Sequence, residues 1–142
     1  MASNGRVSSD QRLPTACVGR VLVMDDEADV RDITRQMLER FGYLVYVAEN
    51  GSKAFECYQE AKEYGYPFDA VLMDLSVQYG QDGRDAMKKL LELDPEVRVI
   101  AFSGHNTDPA ITNFQDYGFK GALTKPFTID KLISLLRNVT QG

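Results

Sequence analysis

Residues 21–27 read VLVMDDE: four apolar residues, Val21 to Met24, run directly into three carboxylates, Asp25, Asp26 and Glu27. A short, uninterrupted apolar run rich in β-branched residues is the pattern of a strand covered on both faces. Carboxylates crowded at the end of such a strand repel one another, and the adjoining core disfavours their charge. Either a proton or a cation must relieve them.

Outward from this stretch the pattern repeats. Further apolar runs occur at Leu44–Ala48, Ala70–Met73, Val97–Phe102 and Gly121–Thr124, and the first extends back to Arg20. Helical periodicity fills the intervals. The first helix is predicted over 27–41, with Val30, Ile33, Thr34, Met37, Leu38 and Phe41 on one stripe. The second covers 51–65, capped by Asn50. The third covers 83–93 and stops before Asp94-Pro95. The fourth covers 109–117, with Asp108 as cap, Pro109 in the first turn and Gly118 past the end. The fifth covers 129–139, capped by Thr128, with Ile129, Leu132, Ile133, Leu136 and Val139 inward. Five strand-then-helix units imply an α/β fold, a parallel sheet with helices on both faces. Ligands then sit beyond the carboxyl ends of the strands.

Composition narrows the function classes. The 142 residues carry a net charge of −5, which lacks the basic footprint of a nucleic-acid binder. No apolar run reaches the roughly 18–20 residues that span a bilayer, and residues 1–20 lack a secretory apolar region. A cytoplasmic protein with no membrane insertion is expected. One histidine and two distant cysteines, Cys17 and Cys57, make no zinc cluster, and reduced thiols are expected. Residues 1–18 are polar and aperiodic and read as a tail or linker; 19–142 read as one domain.

Only the strand ends then need inspection. They hold Asp25, Asp26 and Glu27 after the first run, Asp74 after the third, Ser103 after the fourth and Lys125 after the fifth. Singly, each has an ordinary explanation. Acids favour the positive end of a helix, which fits Glu27 best; Ser103 can cap a turn with Gly104; Lys125 can be a surface lysine. Jointly, they converge on one sheet edge. Crowded carboxylates suit a hard divalent cation such as Mg²⁺. A carboxylate beside that cation can attack phosphorus to give an acyl phosphate, while a hydroxyl and an ammonium hold the phosphoryl oxygens.

"MDDE", "MDL", "FSG" and "KPF", in that order at four strand ends, resemble the receiver domain of bacterial two-component response regulators over residues 19–140. The resemblance implies a single flavodoxin-like (βα)₅ doubly wound domain with sheet order 2-1-3-4-5. It makes Asp74 the phospho-acceptor, supplied by the phosphohistidine of a sensor histidine kinase or phosphotransfer domain. It makes Asp26 and Asp25, with Asp74 and the backbone carbonyl of Ser76, the Mg²⁺ site, and Ser103 and Lys125 the holders of the phosphoryl group. Ser103 would bias the surface of helix four and strand five. Pro126 becomes a cis-proline candidate. Such a domain is a switch rather than a turnover enzyme on an external substrate.

Some positions depart from the family pattern. The loop "SVQYGQDG" lacks the usual Met-Pro and is one residue longer. Ala122 stands where an aromatic commonly reports on the hydroxyl switch, which questions that half of the relay but not phosphorylation. The loop and "SGHNTDPAI" look most like receivers attached to hybrid sensor histidine kinases. The polar tail fits a cut from a longer chain, and no output domain is expected to follow Thr140. His105 and Tyr79 read as solvated or partner-facing, His105 with at most a tuning role. Phe114, Tyr117 and Phe119 read as packing residues and Cys57 as structural. A haloacid-dehalogenase-type hydrolase would need an Asp at position 76, and a flavodoxin would need a phosphate-cradling loop where the triple acid stands.

Overall fold

The computed structural model describes residues 17–75, 81–104 and 109–141. Its five strands are β1 (Gly19–Met24), β2 (Tyr43–Ala48), β3 (Ala70–Asp74), β4 (Val99–Ser103) and β5 (Gly121–Thr124). They form one parallel sheet in the order β2-β1-β3-β4-β5. The helices are α1 (Ala28–Arg40), α2 (Gly51–Glu63), α3 (Gln81–Leu93), α4 (Pro109–Thr112) and α5 (Ile129–Gln141). This is the expected doubly wound fold. Among the described residues no helix is long and apolar enough to cross a membrane.

Side-chain alternation splits the core in two. Leu22, Met24, Val71, Met73, Val99 and Ala101 pack with α2, α3 and α4. Val21, Val23, Leu72, Ile100 and Phe102 pack with α1 and α5. A parallel sheet needs both covers, because its central strands expose apolar side chains in both directions. Edge strand β2 is the exception, and Tyr46 and Val47 are exposed on it.

The caps follow the sequence. Lys53 N–H donates to Asn50 Oδ1 at 2.8 Å, and Lys131 N–H donates to Thr128 Oγ1 at 3.2 Å. Glu27 occupies the N-cap of α1 in extended conformation. Three expectations are corrected. Helix four ends at Thr112 and resumes as a 3₁₀ turn, Phe114–Tyr117, closed by Gly118 at φ 91°. A Cβ at Gly118 would come within 2.6 Å of Leu91 Cδ1, so the chain turns tightly against α3 there. Strand four begins at Val99 rather than Val97, because Val97 N–H is used in a turn to Asp94 O. In α1, Thr34 and Leu38 are buried but Ile33 and Phe41 are exposed. The apolar stripe is thus wider than the surface the helix has to cover.

Phe119 is buried and Phe114 packs against the α2/α3 side, whereas Tyr117 is exposed beneath the Arg84 guanidinium. Cys17 and Cys57 are free, and Cys57 packs against the core. The Lys125-Pro126 peptide bond is cis, as the resemblance implied. Ser76, Tyr79, His105, Asp108 and residues 1–16 of the tail lie outside the described residues.

Helices α2 and α3 are tied together by a polar clamp. Tyr58 Oη donates to Asp94 Oδ2 at 2.7 Å, and Lys62 Nζ lies 3.8 Å from the same oxygen. Burial pushes the Asp94 carboxyl up. The Tyr58 hydroxyl, the Glu96 N–H and the charges of Lys62 and Arg98 outweigh it and hold the group below its usual 3.8. A depressed acid contributes stability that is present above its usual value and lost as pH falls through its folded one. Tyr58→Phe is expected to cost about 1–2 kcal/mol at neutral pH in urea unfolding, and less once Asp94 is protonated. An equal cost at pH values on both sides of that titration contradicts the clamp.

Candidate functional site

The site is built by strand endings. Asp25 directly follows β1, Asp74 and Ser103 are the last residues of β3 and β4, and Lys125 directly follows β5. Asp25, Asp74 and Ser103 are buried, at 0%, 1% and 0% exposure. Lys125 reaches between the two carboxylates, its Nζ 3.3 Å from Asp25 Oδ2 and 3.3 Å from Asp74 Oδ2. Two parallel strand ends thus present like charges to one shared cation.

Backbone contacts fix this edge. Asp25 N–H donates to Ala48 O, Leu75 N–H to Phe102 O and Lys125 N–H to Ser103 O. Asp25 Oδ1 accepts from Glu27 N–H at 2.9 Å, a short local turn that aims the other oxygen at Lys125. Gly83 lets α3 approach: a Cβ there would lie 3.3 Å from the Asp74 carbonyl and 2.6 Å from Leu75 Cδ2. That gives the glycine of the Asp-Gly pair a steric reason.

Charge follows geometry. Burial pushes the Asp25 carboxyl up; the Glu27 N–H opposes this, the Asp74 charge adds to it, and Lys125 opposes it, leaving it at about 6. Burial pulls the Lys125 ammonium down, but Asp74 and Asp25 more than offset this and hold it above its usual range.

The donor set fits a hard divalent cation. Asp25, Asp26 and Glu27 each offer a carboxylate oxygen, all within 4.8 Å of one another, with Asp25 buried and the other two exposed. All three donors are oxygen, the hard ligand type that Mg²⁺ takes.

Two residues at this edge are given no site role by the sequence. Arg31 Nη1 donates to the Asp25 carbonyl at 2.7 Å, a contact from the first turns of α1 that no motif announces. The buried Phe102 ring lies beneath the Lys125 ammonium, centroid to Nζ 5.1 Å. Strand alternation could have found it, because Phe102 is two residues on from Ile100 and shares its face.

Comparison with known proteins assigns the chain to a family. The family model described as "Response regulator receiver domain" matches residues 21–137. The chain belongs to the response regulator receiver family. The chemotaxis protein CheY of Thermotoga maritima is 30% identical over 123 residues, covering 86% of this chain and 98% of CheY. An NtrX-like response regulator of Rickettsia bellii is 32% identical over 122 residues, covering 85% of this chain and 24% of the regulator. The chain therefore spans about a quarter of that regulator and nearly all of CheY. Among solved structures, a receiver domain protein from Clostridium thermocellum superposes with TM-score 0.77 at 25% identity, covering 87% and 95% of the two chains. The protein is a receiver domain of two-component signalling, a class that binds Mg²⁺ at an acidic pocket and works with histidine kinases or phosphotransfer proteins. Receivers are signalling domains rather than turnover enzymes on an external substrate.

A receiver with a raised acid in its pocket holds back stability. The folded state prefers Asp25 protonated, so stability falls as pH rises from 3.8 through about 6, and the full penalty applies above that. Asp25→Asn removes the charge and can keep the bond from Glu27 N–H. Without divalent metal, it is expected to stabilise the protein near neutral pH by about 1–3 kcal/mol. That gain should fade as pH falls from about 6 to 4. A destabilised variant in a pH-resolved thermal melt contradicts this electrostatic account.

Proposed function

We propose that this receiver accepts a phosphoryl group on Asp74 from the phosphohistidine of a sensor histidine kinase or phosphotransfer domain. Mg²⁺ would be held by Asp26, Asp25 and Asp74. The observation that carries the reading is that Asp74 Oδ2 and Asp25 Oδ2 share one ammonium at 3.3 Å. A buried acceptor, a neighbouring acid cluster and a cation bridging them are what phosphoryl transfer to a carboxylate requires.

Each residue then has a task. An Asp74 carboxylate oxygen attacks phosphorus, the P–N bond breaks with its electron pair left on the imidazole nitrogen, and that nitrogen takes a proton from bulk solvent. Bound at the acids, Mg²⁺ would supply the positive charge that offsets repulsion between Asp74 and the incoming phosphoryl group. Asp26, exposed, would bind that ion directly, and Asp25, buried, would help directly or through water. The Ser76 carbonyl remains a further expected ligand. Lys125 exchanges its carboxylate contacts for a phosphoryl oxygen, and the Ser103 hydroxyl donates to another. Movement of Ser103 would draw the end of β4 and bias the α4/β5 surface. The "SVQYGQDG" and "SGHNTDPAI" stretches support a place among receivers of hybrid sensor histidine kinases, in the cytoplasm.

With Mg²⁺ and acetyl phosphate, the wild type is expected to gain one acid-labile phosphoryl adduct, mapped to Asp74 by mass spectrometry. Asp74→Ala should gain none, and Asp26→Asn should slow the reaction about tenfold or more. An adduct that persists in Asp74→Ala, or no adduct in the wild type, contradicts the assignment.

A further inference from the structure

Period-two alternation sorts the site by sheet face. Val21, Val23, Leu72, Ile100 and Leu123 face the α1/α5 side. The residues two positions on from the last of each, Asp25, Asp74, Phe102 and Lys125, continue there. Ser103 and Ala122 belong to the opposite side, where Ala101 is buried and Ala122 packs. The side that carries Ser103 therefore lacks the usual family aromatic, while the side that carries the lysine holds the Phe102 ring.

Phe102 is paired in register with Asp74 on one strand and Leu123 on the other. Its ring is 1% exposed and lies 5.1 Å from Lys125 Nζ. Phe127, which packs against the same cluster, meets it edge-on, with centroids 6.0 Å apart and planes at 83°. The ammonium thus has Asp25 Oδ2, Asp74 Oδ2 and an aromatic ring around it. An ammonium drawn out of water loses hydration, and the negative face of an aromatic ring restores part of it. An aliphatic side chain of the same size would not.

We propose that Phe102, braced by Phe127, is a positioning residue for Lys125: its ring holds the ammonium level with the two carboxylates. The proposal rests on the reading that Lys125 serves a phosphoryl group on Asp74. The ring touches neither phosphorus nor metal and acts through the lysine. Phosphorylation draws Lys125 away from this position, so the Phe102–Phe127 pair senses the lysine from the α1/α5 side. The family's relay aromatic would sense the hydroxyl from the other side.

The test is graded fluorination of Phe102, which withdraws the ring's negative face while nearly preserving its shape. Across 4-fluoro-, 3,5-difluoro- and pentafluorophenylalanine, the rate of Asp74 phosphorylation by acetyl phosphate with Mg²⁺ is expected to fall stepwise. The loss should reach about three- to thirty-fold, with little change in melting temperature. Phe102→Leu should match the fully fluorinated protein and Phe102→Tyr should retain most of the rate. In the absence of phosphodonor and metal, the NMR chemical shift of the Lys125 side chain at one fixed pH, set by the ring beneath it, should move stepwise across the same series. A flat rate and an unmoved Lys125 shift in a protein that is phosphorylated on Asp74 overturn the positioning role alone. If the wild type takes no phosphoryl group, the Asp74 reading fails, and the Lys125 shift series by itself decides whether Phe102 positions the ammonium.

Discussion

Asp25 and Asp74 leave neighbouring parallel strands one step beyond the row that pairs Met24 with Met73, and their carboxylates share one ammonium. Everything else at this edge follows from that enforced meeting. Neither strand can slip by one residue without turning its own acid to the other face and its apolar neighbours out of the core. Two separately packed cores, one on each face, pin it. Lys125 arrives from the far side of β4, where its own N–H is fixed to Ser103 O. The fold is a device for holding two like charges where water is scarce.

Such an arrangement is poised rather than relaxed. Removing one partner of a buried charge cluster leaves the others uncompensated, and adding a second cation or a phosphoryl group redistributes the same contacts. The raised Asp25 carboxyl is the clearest sign of this tension. It also explains why a signalling domain can respond to one small group. The local electrostatic change is large, and the elements bearing it are the strand ends from which the loops depart.

The fold was legible because its strands are short, apolar and separated by capped helices; Asn50 and Thr128 announce two of those caps directly. The gathering of Asp25, Asp74, Ser103 and Lys125 was legible because all four end or follow strands of one parallel sheet. What escaped was of two kinds. The break in helix four depends on how the 3₁₀ turn and Gly118 fit against Leu91, a tertiary demand with no local pattern. The Phe102 ring under Lys125 depends on alternation across three strands, which motif reading passes over because phenylalanine there reads simply as core. Ile33 illustrates the converse: its helical period is correct, but α1 covers too narrow a surface to bury it.

The central claim is that the shared ammonium marks where a phosphoryl group binds Asp74. A crystal structure of the wild type with Mg²⁺ and beryllofluoride tests it most directly. The account predicts beryllofluoride on an Asp74 carboxylate oxygen, the metal among Asp25, Asp26 and Asp74, and Lys125 Nζ moved from Asp25 onto a fluoride. Lys125 still bridging Asp25 and Asp74, with beryllofluoride absent or on another carboxylate, would contradict it.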